Sequence, residues 1–399
     1  MSSPRPFPGR WVLDPSVRFL NHGSFGACPR AVLLRQGELR ARMEAEPVRF
    51  MVRELPALLD DVGRALGGFL GADPQDLALV PNASTGVSTV LRSLDLQPGD
   101  ELLTCDHAYP ACKNALEAVA ARAGARVTVA RVPFPVRGPD EVLGAFLAAV
   151  TGRTRLALVD HVTSPTGLVF PVADLVAALQ QRGVDVLVDG AHAPGMVPLD
   201  LRALGAAYYT GNCHKWLCAP KGAGFLHVRR DRQAGVRPLV ISHGATAPLR
   251  GRSRFQREFE WTGTQDPTAW LCIPSALRAL AELVPGGWDE VRRRNHDLAV
   301  EARGILCRAL QVEPPCPEAM LGSLAAVPLP DDPTGAAATM PLPLQDALLD
   351  RHGIQVPVFP WPAPPRRLVR VSAQLYNAPE DYAALATALG EELGRERAR

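Results

Sequence analysis

The most unusual residue choice in this chain is the lysine at position 215. Only three of the 43 basic residues are lysine, and two of them lie in one short stretch, YYTGNCHKWLCAPKGAGFL. Arginine supplies positive charge elsewhere, but its guanidinium stays protonated and cannot form an imine. A lysine amine becomes a nucleophile when burial lowers its pKa. Lys215 is therefore the first candidate for covalent chemistry.

Two other polar motifs follow apolar runs and could hold charged groups. The motif NASTG follows LALV and opens a predicted helix, so Ala83, Ser84 and Thr85 offer N–H groups and hydroxyls to a phosphate. The motif VDVLVDGAHAPG places Asp189 at the end of an apolar strand, where a buried carboxylate needs a partner. Taken alone, the first motif also fits an ordinary helix cap and the second a structural salt bridge.

These motifs together indicate one cofactor. The chain has no GxxxxGK[ST] sequence, and Gly222 and Gly224 precede a predicted strand instead of following one, which argues against nucleotide-binding loops. Pyridoxal phosphate requires an anion site for its phosphate, a carboxylate for its pyridine nitrogen and a lysine for its imine. The sequence therefore predicts pyridoxal phosphate as the cofactor.

The elements that position these residues follow an alternating pattern. From about residue 75 to 230, short apolar runs alternate with helical patterns, which predicts a parallel, doubly wound sheet. Ligands bind beyond the C-terminal ends of such strands, where the polar motifs lie. Long helices follow residue 285. We predict an α/β fold with a large domain at 16–285 and a small α+β domain at 286–399, which residues 1–15 join.

Composition bears on partners and compartment. The formal charge is +2 with scattered basic residues, so we expect no nucleic-acid or membrane partner. No signal-peptide core and no apolar run of about 20 residues occurs, which favours a cytoplasmic protein. Eight cysteines lie at irregular spacing without a CxxC pair, so we expect reduced core thiols and no metal site.

Several motifs also resemble a known family. Over roughly residues 15–395 the chain is similar to the class V aminotransferase group of fold-type I pyridoxal-phosphate enzymes, and within it to the isopenicillin N epimerase-like members. The motifs are FLNHGSFGACPR, EPVRFM, DHAYPA, TSPTGLVFPV, DGAHAPG, GNCHKWLCAPKGAGFL and RVSAQLYN. The resemblance implies a large domain with a mostly parallel seven-stranded sheet, a small C-terminal domain, an amino-acid substrate and a homodimer.

The resemblance also implies cofactor contacts. Lys215 corresponds to the Schiff-base lysine, Asp189 to the partner of the pyridine nitrogen and His192 to the donor to the ring 3-oxygen. The phosphate contacts and remaining cofactor contacts implied are Ala83, Ser84, Thr85, His214, Asn212, Ser164 and, from a neighbouring subunit, Thr264. An aromatic ring of DHAYPA stacks on the cofactor, and His107 and Tyr109 are both candidates.

For the substrate, the resemblance implies that Arg370 binds the α-carboxylate. A guanidinium suits this role, since it binds a carboxylate with two parallel hydrogen bonds. Asn21, His22 and Arg49 fall in family segments near the substrate. Related cysteine desulfurases carry a nucleophilic cysteine about 15 residues before this arginine, whereas the segment here reads GIQVPVFPWPAPP. Desulfuration through a persulfide is therefore not expected.

The reaction type stays open between three outcomes of Cα chemistry: epimerisation, transamination and β-elimination with C–S cleavage. The epimerase-like motifs favour the first, which needs a proton donor on each face of the substrate carbon. Lys215 can serve one face. The candidates for the other face are His107, Tyr109, His22 and a relayed water. A different class, a binding module that keeps the fold without turnover, is disfavoured because every expected contact residue is present.

Overall fold

The computed structural model describes residues 6–333 and 342–398. Its strands are β1 (Arg18–Phe19), β2 (Leu77–Val80), β3 (Glu101–Cys105), β4 (Arg126–Ala130), β5 (Thr154–Asp160), β6 (Asp185–Gly190), β7 (Tyr208–Asn212), β8 (Gly224–Val228), β9 (Leu324–Leu329), β10 (Ile354–Gln355), β11 (Val358–Pro360) and β12 (Arg367–Ser372).

The helices of the described residues are α1 (His22–Phe25), α2 (Arg30–Ala45), α3 (Pro47–Arg49), α4 (Leu55–Leu70), α5 (Ala83–Ser93), α6 (Pro110–Ala123), α7 (Pro139–Ala149), α8 (Val172–Gln180), α9 (Leu201–Leu204), α10 (Arg254–Glu260), α11 (Thr268–Leu271), α12 (Ile273–Ala281), α13 (Gly287–Leu310), α14 (Pro343–His352) and α15 (Pro379–Arg397). A π-helical stretch at Phe50–Glu54 joins α3 to α4.

The large sheet confirms the predicted fold class. Its seven strands run in the order β2-β8-β7-β6-β5-β3-β4. Strands β3 to β7 are mutually parallel where they pair, and β8 lies antiparallel to both β7 and β2. The C-terminal ends of β5, β6 and β7 therefore meet at one edge, and the loops that follow them share a common site.

Alternation along the strands divides the core into two faces. In β5, Leu156 and Leu158 belong to one apolar cluster, whereas Ala157 and Val159 belong to the cluster on the opposite face. Helices cover both faces, which is why the central strands β5 (TRLALVD) and β6 (DVLVDG) read as nearly continuous apolar runs instead of alternating ones. The residues of β7 are likewise buried throughout.

The C-terminal region forms its own small sheet. Strands β11, β12 and β9 pair in that order and antiparallel, and α13 and α15 pack against one another beside them. The N-terminal strand β1 pairs in parallel with β10. The predicted boundary at residue 285 falls between the end of α12 and the start of α13 and stays a prediction. Within the described residues, no helix is long and apolar enough to cross a membrane.

Candidate active site

Lys215 lies on the loop between β7 and β8, and its amine contacts a histidine. The Nζ atom of Lys215 is 3.0 Å from Nε2 of His192. On the other side of that ring, the indole N–H of Trp216 donates to Nδ1 of His192 over 3.3 Å. Because an indole N–H can only donate, the neutral imidazole carries its proton on Nε2 and directs it at the lysine nitrogen. The contact therefore suits an uncharged amine.

The electrostatic surroundings of Lys215 favour the same uncharged form. Burial, followed by the positive charge of Arg370, lowers the pKa of Lys215 from 10.5 to about 7. Burial and then the charge of Lys215 hold the pKa of His192 well below its usual 6.5, so this imidazole stays neutral. An amine with a pKa near 7 is available as a nucleophile or base at neutral pH.

His22 holds the backbone of the Lys215 loop. Its Nε2 lies 3.0 Å from the carbonyl oxygen of Lys215, and its Nδ1 lies 2.8 Å from the hydroxyl of Tyr376. A Cβ placed on Gly26 would lie 2.1 Å from the carbonyl oxygen of His214, so glycine is needed where this segment crosses the loop. Burial lowers the pKa of His22 to about 3. Both ring nitrogens of His22 are thus engaged within the protein.

Asp189 is the last residue but one of β6 and is 3% exposed. Its Oδ1 accepts the backbone N–H of Ala191 over 2.9 Å, and its Oδ2 accepts the thiol of Cys112 over 3.1 Å. These two donors stabilise the ionised carboxylate. The negative charge of Asp189 also acts on Lys215, so the two groups share one electrostatic environment.

The N-terminus of α5 is partly capped by the protein itself. Asn212 at the end of β7 accepts the backbone N–H of Ala83 over 2.8 Å. The side chain of Asn82 accepts both the backbone N–H of Thr85, over 2.9 Å, and its hydroxyl, over 3.1 Å. The Ser84 hydroxyl bonds to the thiol of Cys112. The residues predicted to bind the phosphate lie together at this helix end, but the N–H of Ala83 and that of Thr85 each have an acceptor within the protein.

Two further features shape this end of the site. A Cβ on Gly86 would lie 2.1 Å from Oγ1 of Thr210, so the glycine lets α5 lie directly against β7. Nδ1 of His214 lies 3.0 Å from the carbonyl oxygen of Ala223 and donates to it, which places the proton of the neutral ring on Nδ1. Burial, followed by the charge of Lys215, lowers the pKa of His214 to about 4.

Arg370 on β12 is a buried cation without an acidic partner among the described residues. It is 1% exposed, and the salt bridges of the described residues do not include it. One terminal nitrogen donates to the carbonyl and hydroxyl oxygens of Ser164, the other to the hydroxyl of Ser24 over 3.3 Å, and Nε has no hydrogen-bond partner. Burial lowers its pKa to about 10. A buried, unpaired guanidinium of this kind suits an anionic ligand.

Asn21 is linked to Arg370 through the hydroxyl of Ser24. Its Oδ1 accepts the hydroxyl of Ser24 over 2.6 Å, and Ser24 in turn accepts from Arg370. Ser164, predicted as a cofactor contact, accepts hydrogen bonds from the guanidinium of Arg370 through its carbonyl and hydroxyl oxygens. The predicted substrate residues Asn21 and Arg370 therefore belong to one hydrogen-bonded chain.

The two candidates for the stacking ring occupy different surroundings. Nδ1 of His107 lies 2.8 Å from the hydroxyl of Thr166, and its Nε2 lies 3.0 Å from the carbonyl oxygen of Val132. The His107 ring also contacts the ring of Trp361 at 4.7 Å between centroids. Tyr109 is 42% exposed, and burial followed by the neighbouring acidic groups Cys112 and Asp189 raises its pKa. Tyr109 thus shares the environment of Asp189, whereas His107 is enclosed by other side chains.

Two residues that were predicted to contact the substrate or the cofactor, Arg49 and Thr264, lie apart from the Lys215 site within a single chain. Arg49 is largely exposed and forms ion pairs with Glu54 at 2.9 Å and Glu46 at 3.7 Å. Thr264 is exposed on the segment between α10 and α11. Among the described residues, neither side chain contacts Lys215 or Arg370, so a single subunit does not bring them into the site.

Sequence reasoning missed four residues that the structure places here. They are Ser24, Cys112, Asp160 and Trp216. Trp216 directly follows the lysine and Asp160 ends an apolar strand, so position could have drawn attention to both. Nothing in the sequence distinguishes Cys112 from the other seven cysteines, all of which are buried and free.

The residues present fit pyridoxal phosphate. A lysine with a lowered pKa, a buried carboxylate with two donors and a helix N-terminus lie at the shared edge of β6 and β7, and the unpartnered Nε of Arg370 adds a site for an anion. In the described part of the chain, no group of three or more His, Cys, Asp or Glu residues could hold a metal ion.

Comparisons with known proteins identify the family. The model of the family "Aminotransferase class-V" matches residues 28–329, and the chain belongs to this family of pyridoxal-phosphate enzymes. The chain is 40% identical over 393 residues to an isopenicillin N epimerase of Amycolatopsis lactamdurans, covering 95% of this chain and 96% of that one. It is 30% identical over 406 residues to an L-cysteine desulfhydrase of Arabidopsis thaliana, covering 94% and 87%.

Solved structures agree on the fold. A cystine C-S lyase in complex with its reaction product, cysteine persulfide, superposes with a TM-score of 0.78 at 23% identity, covering 94% of this chain and 97% of that one. The fold-type I architecture predicted from the sequence is thereby confirmed, as is the resemblance to the epimerase-like branch.

Proposed function

We propose that this protein epimerises an amino-acid centre through removal and return of a Cα proton, and that isopenicillin N is the first substrate to test. The observation that carries the proposal is that one site combines a Lys215 amine held uncharged with a buried guanidinium, Arg370, whose charge acts on that amine and has no acidic partner among the described residues. The similarity to isopenicillin N epimerases over nearly the whole of both chains supports the choice of reaction.

The cofactor would be held by groups at the end of β6, at the start of α5 and on the loop after β7. We assign the covalent link to Lys215, the pyridine nitrogen to Asp189 and the 3-oxygen to His192. The phosphate is assigned to the N-terminus of α5, where the Ser84 and Thr85 hydroxyls would leave their present partners, Cys112 and Asn82, to donate to it, with His214 beside them. When bound, pyridoxal phosphate supplies an electron sink for the electrons left on Cα as its proton departs.

The substrate carboxylate is assigned to Arg370. Its Nε has no hydrogen-bond partner, and its two terminal nitrogens donate to the uncharged residues Ser164 and Ser24. All three nitrogens could donate to a substrate carboxylate, which would supply the negative charge that the guanidinium lacks. This would fix the substrate so that its Cα hydrogen faces Lys215. The Lys215 amine, with a pKa near 7, can accept that proton and later return one.

For the opposite face of Cα we assign Tyr109. Its hydroxyl lies in the field of Asp189 and Arg370, and its partial exposure lets it exchange protons with solvent. His22 is a poor candidate because Tyr376 and the Lys215 carbonyl engage its ring, and His107 is enclosed by Thr166 and Val132. Tyr109 is also our choice for the ring that stacks on the cofactor.

A C–S β-lyase is the second candidate. The L-cysteine desulfhydrase relatives favour it, because they are similar over nearly the whole chain. Such a reaction starts with the same proton removal by Lys215 and differs in the loss of a β-substituent. It needs no nucleophilic cysteine, and the eight cysteines here are all buried.

We further propose a cytoplasmic homodimer. Free, buried thiols support a reducing compartment. Exposed apolar side chains support a partner surface, among them Val48, Val52, Val240 and Ile241. The exposed positions of Thr264 and Arg49 are what residues acting in a neighbouring subunit's site would require.

The proposal is tested by offering the holoenzyme isopenicillin N, L- and D-amino acids, and cystine. Products are followed by chiral chromatography and by assay of pyruvate and sulfur products. Inversion at Cα without a keto-acid requirement supports the epimerase, whereas pyruvate together with a sulfur product identifies the β-lyase. A strict requirement for a keto acid would contradict both.

A further inference from the structure

Asp160 brings a second carboxyl group to the cofactor site. It ends β5 and pairs in register with Asp189 at the end of β6. Side chains of neighbouring residues in register project from the same face of a parallel sheet. Both residues are 3% exposed, so two acidic groups are buried side by side at the edge where the site lies.

The two carboxyl groups have unequal hydrogen-bond partners. Each oxygen of Asp189 accepts a donor, the N–H of Ala191 on one side and the thiol of Cys112 on the other. Asp160 accepts the backbone N–H of Tyr109, and its Oδ2 is buried without a hydrogen-bond partner. The structure thus stabilises negative charge on Asp189 better than on Asp160.

No cation compensates Asp160 in the described part of the chain, where the salt bridges do not include it. The titratable groups that face it are Asp189 on β6, Cys112 on α6 and Cys105 on β3. All three are acids, and none can supply positive charge. Two adjacent carboxylates in such a site cannot both ionise without a large cost, so the pair retains one proton.

We propose that Asp160 is held as a neutral carboxylic acid and acts through Asp189 as a positioning residue, so that the cofactor's ring nitrogen meets one negative charge instead of two. This inference rests on the proposed placement of the pyridine nitrogen beside Asp189. Burial, followed by the charge of Asp189, raises the pKa of Asp160 well above its usual range, in agreement with the hydrogen-bond pattern.

The proposal explains why an acid without a cationic partner is tolerated at this position. A neutral Asp160 still accepts the Tyr109 N–H and so fixes the start of α6, from which Cys112 reaches Asp189. An ionised Asp160 would add a second charge, which would strengthen the hold on the ring proton and oppose the binding of an anionic cofactor.

Infrared spectroscopy of the holoenzyme tests the proton directly. With carboxyl-¹³C aspartate incorporated, a protonated aspartic acid gives a carbonyl band separate from those of ionised aspartates. An aspartate with an ordinary pKa is ionised at about pH 7.5, so a protonated band at that pH identifies a perturbed residue. We expect one such band in the wild-type protein and its loss in Asp160→Asn. Asp160→Ser is the second variant, in case the first fails to fold.

Coupling to Asp189 is tested by the same band in Asp189→Asn. Without the neighbouring charge, the pH midpoint for ionisation of Asp160 should fall by at least about one pH unit. The dissociation constant of the cofactor should be roughly five-fold higher in Asp160→Ala than in Asp160→Asn, because only asparagine can accept the Tyr109 N–H.

The absence of a protonated band in the wild-type protein, or its persistence in both Asp160 variants, would overturn the proposal. An unchanged midpoint in Asp189→Asn would do the same. None of these measurements follows turnover, so they stand even if the protein proves to be a lyase instead of an epimerase.

Discussion

The amine of Lys215 and the imidazole of His192 meet at 3.0 Å with the imidazole as donor. The indole of Trp216 enforces this direction, because it can only donate and so leaves Nδ1 of His192 as an acceptor. A charged ammonium would place two donors against one another. The histidine–indole pair therefore works together with burial to keep the lysine neutral.

Lys215 is expected to be the residue that links covalently to the cofactor. Borohydride reduction of the holoenzyme followed by peptide mapping should label Lys215, and Lys215→Ala should abolish the label. Lys113, on α6 near Glu117, and Lys221, which donates to the carbonyl of Gly26, serve as internal controls. Label on either of them in the wild-type protein would refute the assignment.

Reconstitution of the cofactor-free protein should depend on pH with a midpoint of about 7. Only the neutral amine reacts, and the pKa of Lys215 is lowered from 10.5, so the rate should rise through pH 7 and level off well below pH 10. In Trp216→Phe the proton of His192 can move to Nδ1, which lets Nε2 accept from an ammonium. The midpoint should then shift upward, and a midpoint near 10 in the wild-type protein would contradict this account.

Arg370→Lys should raise KM for the amino acid by roughly 10- to 100-fold, because a point charge replaces two parallel charged hydrogen bonds. Cofactor affinity should change much less than KM. Arg366→Lys, at an exposed position just before β12, is the matched control and should have little effect. Equal losses in both variants would show that Arg370 does not bind substrate.

Thr264→Ala should weaken cofactor binding in a protein that sediments as a dimer, because we place this threonine in the site of the neighbouring subunit. Thr387→Ala, at an exposed position on α15, is the control. Sedimentation combined with cofactor titration provides the measurement. A stable monomer with full cofactor content and activity would exclude a composite site.

The sequence predicted most of the large sheet because its central strands are buried on both faces. ELLTC corresponds to β3 without a shift, and DVLVDG and LALV are β6 and β2. The antiparallel placement of β8 beside β2 was not predicted, since strand direction depends on contacts between distant segments and not on local pattern.

The sequence predicted which residues lie together when they follow strand ends, but it did not predict the partners of individual side chains. Lys215, Asp189 and His192 share one edge, as the alternating pattern implied. His22, in contrast, turns to Tyr376 and the Lys215 carbonyl, and Ser164 turns to Arg370. Sequence shows that a polar residue is near the site, but only packing decides which atom it contacts.

Lys215 is expected to exchange a Cα proton, with inversion of the substrate centre. The most direct measurement is incubation of the holoenzyme with a responsive amino-acid substrate in deuterium oxide, without any keto acid. We expect solvent deuterium to enter Cα with loss of optical purity, and Lys215→Ala to abolish both. Retention of the Cα hydrogen in the wild-type protein, or turnover only when a keto acid is supplied, would contradict the account.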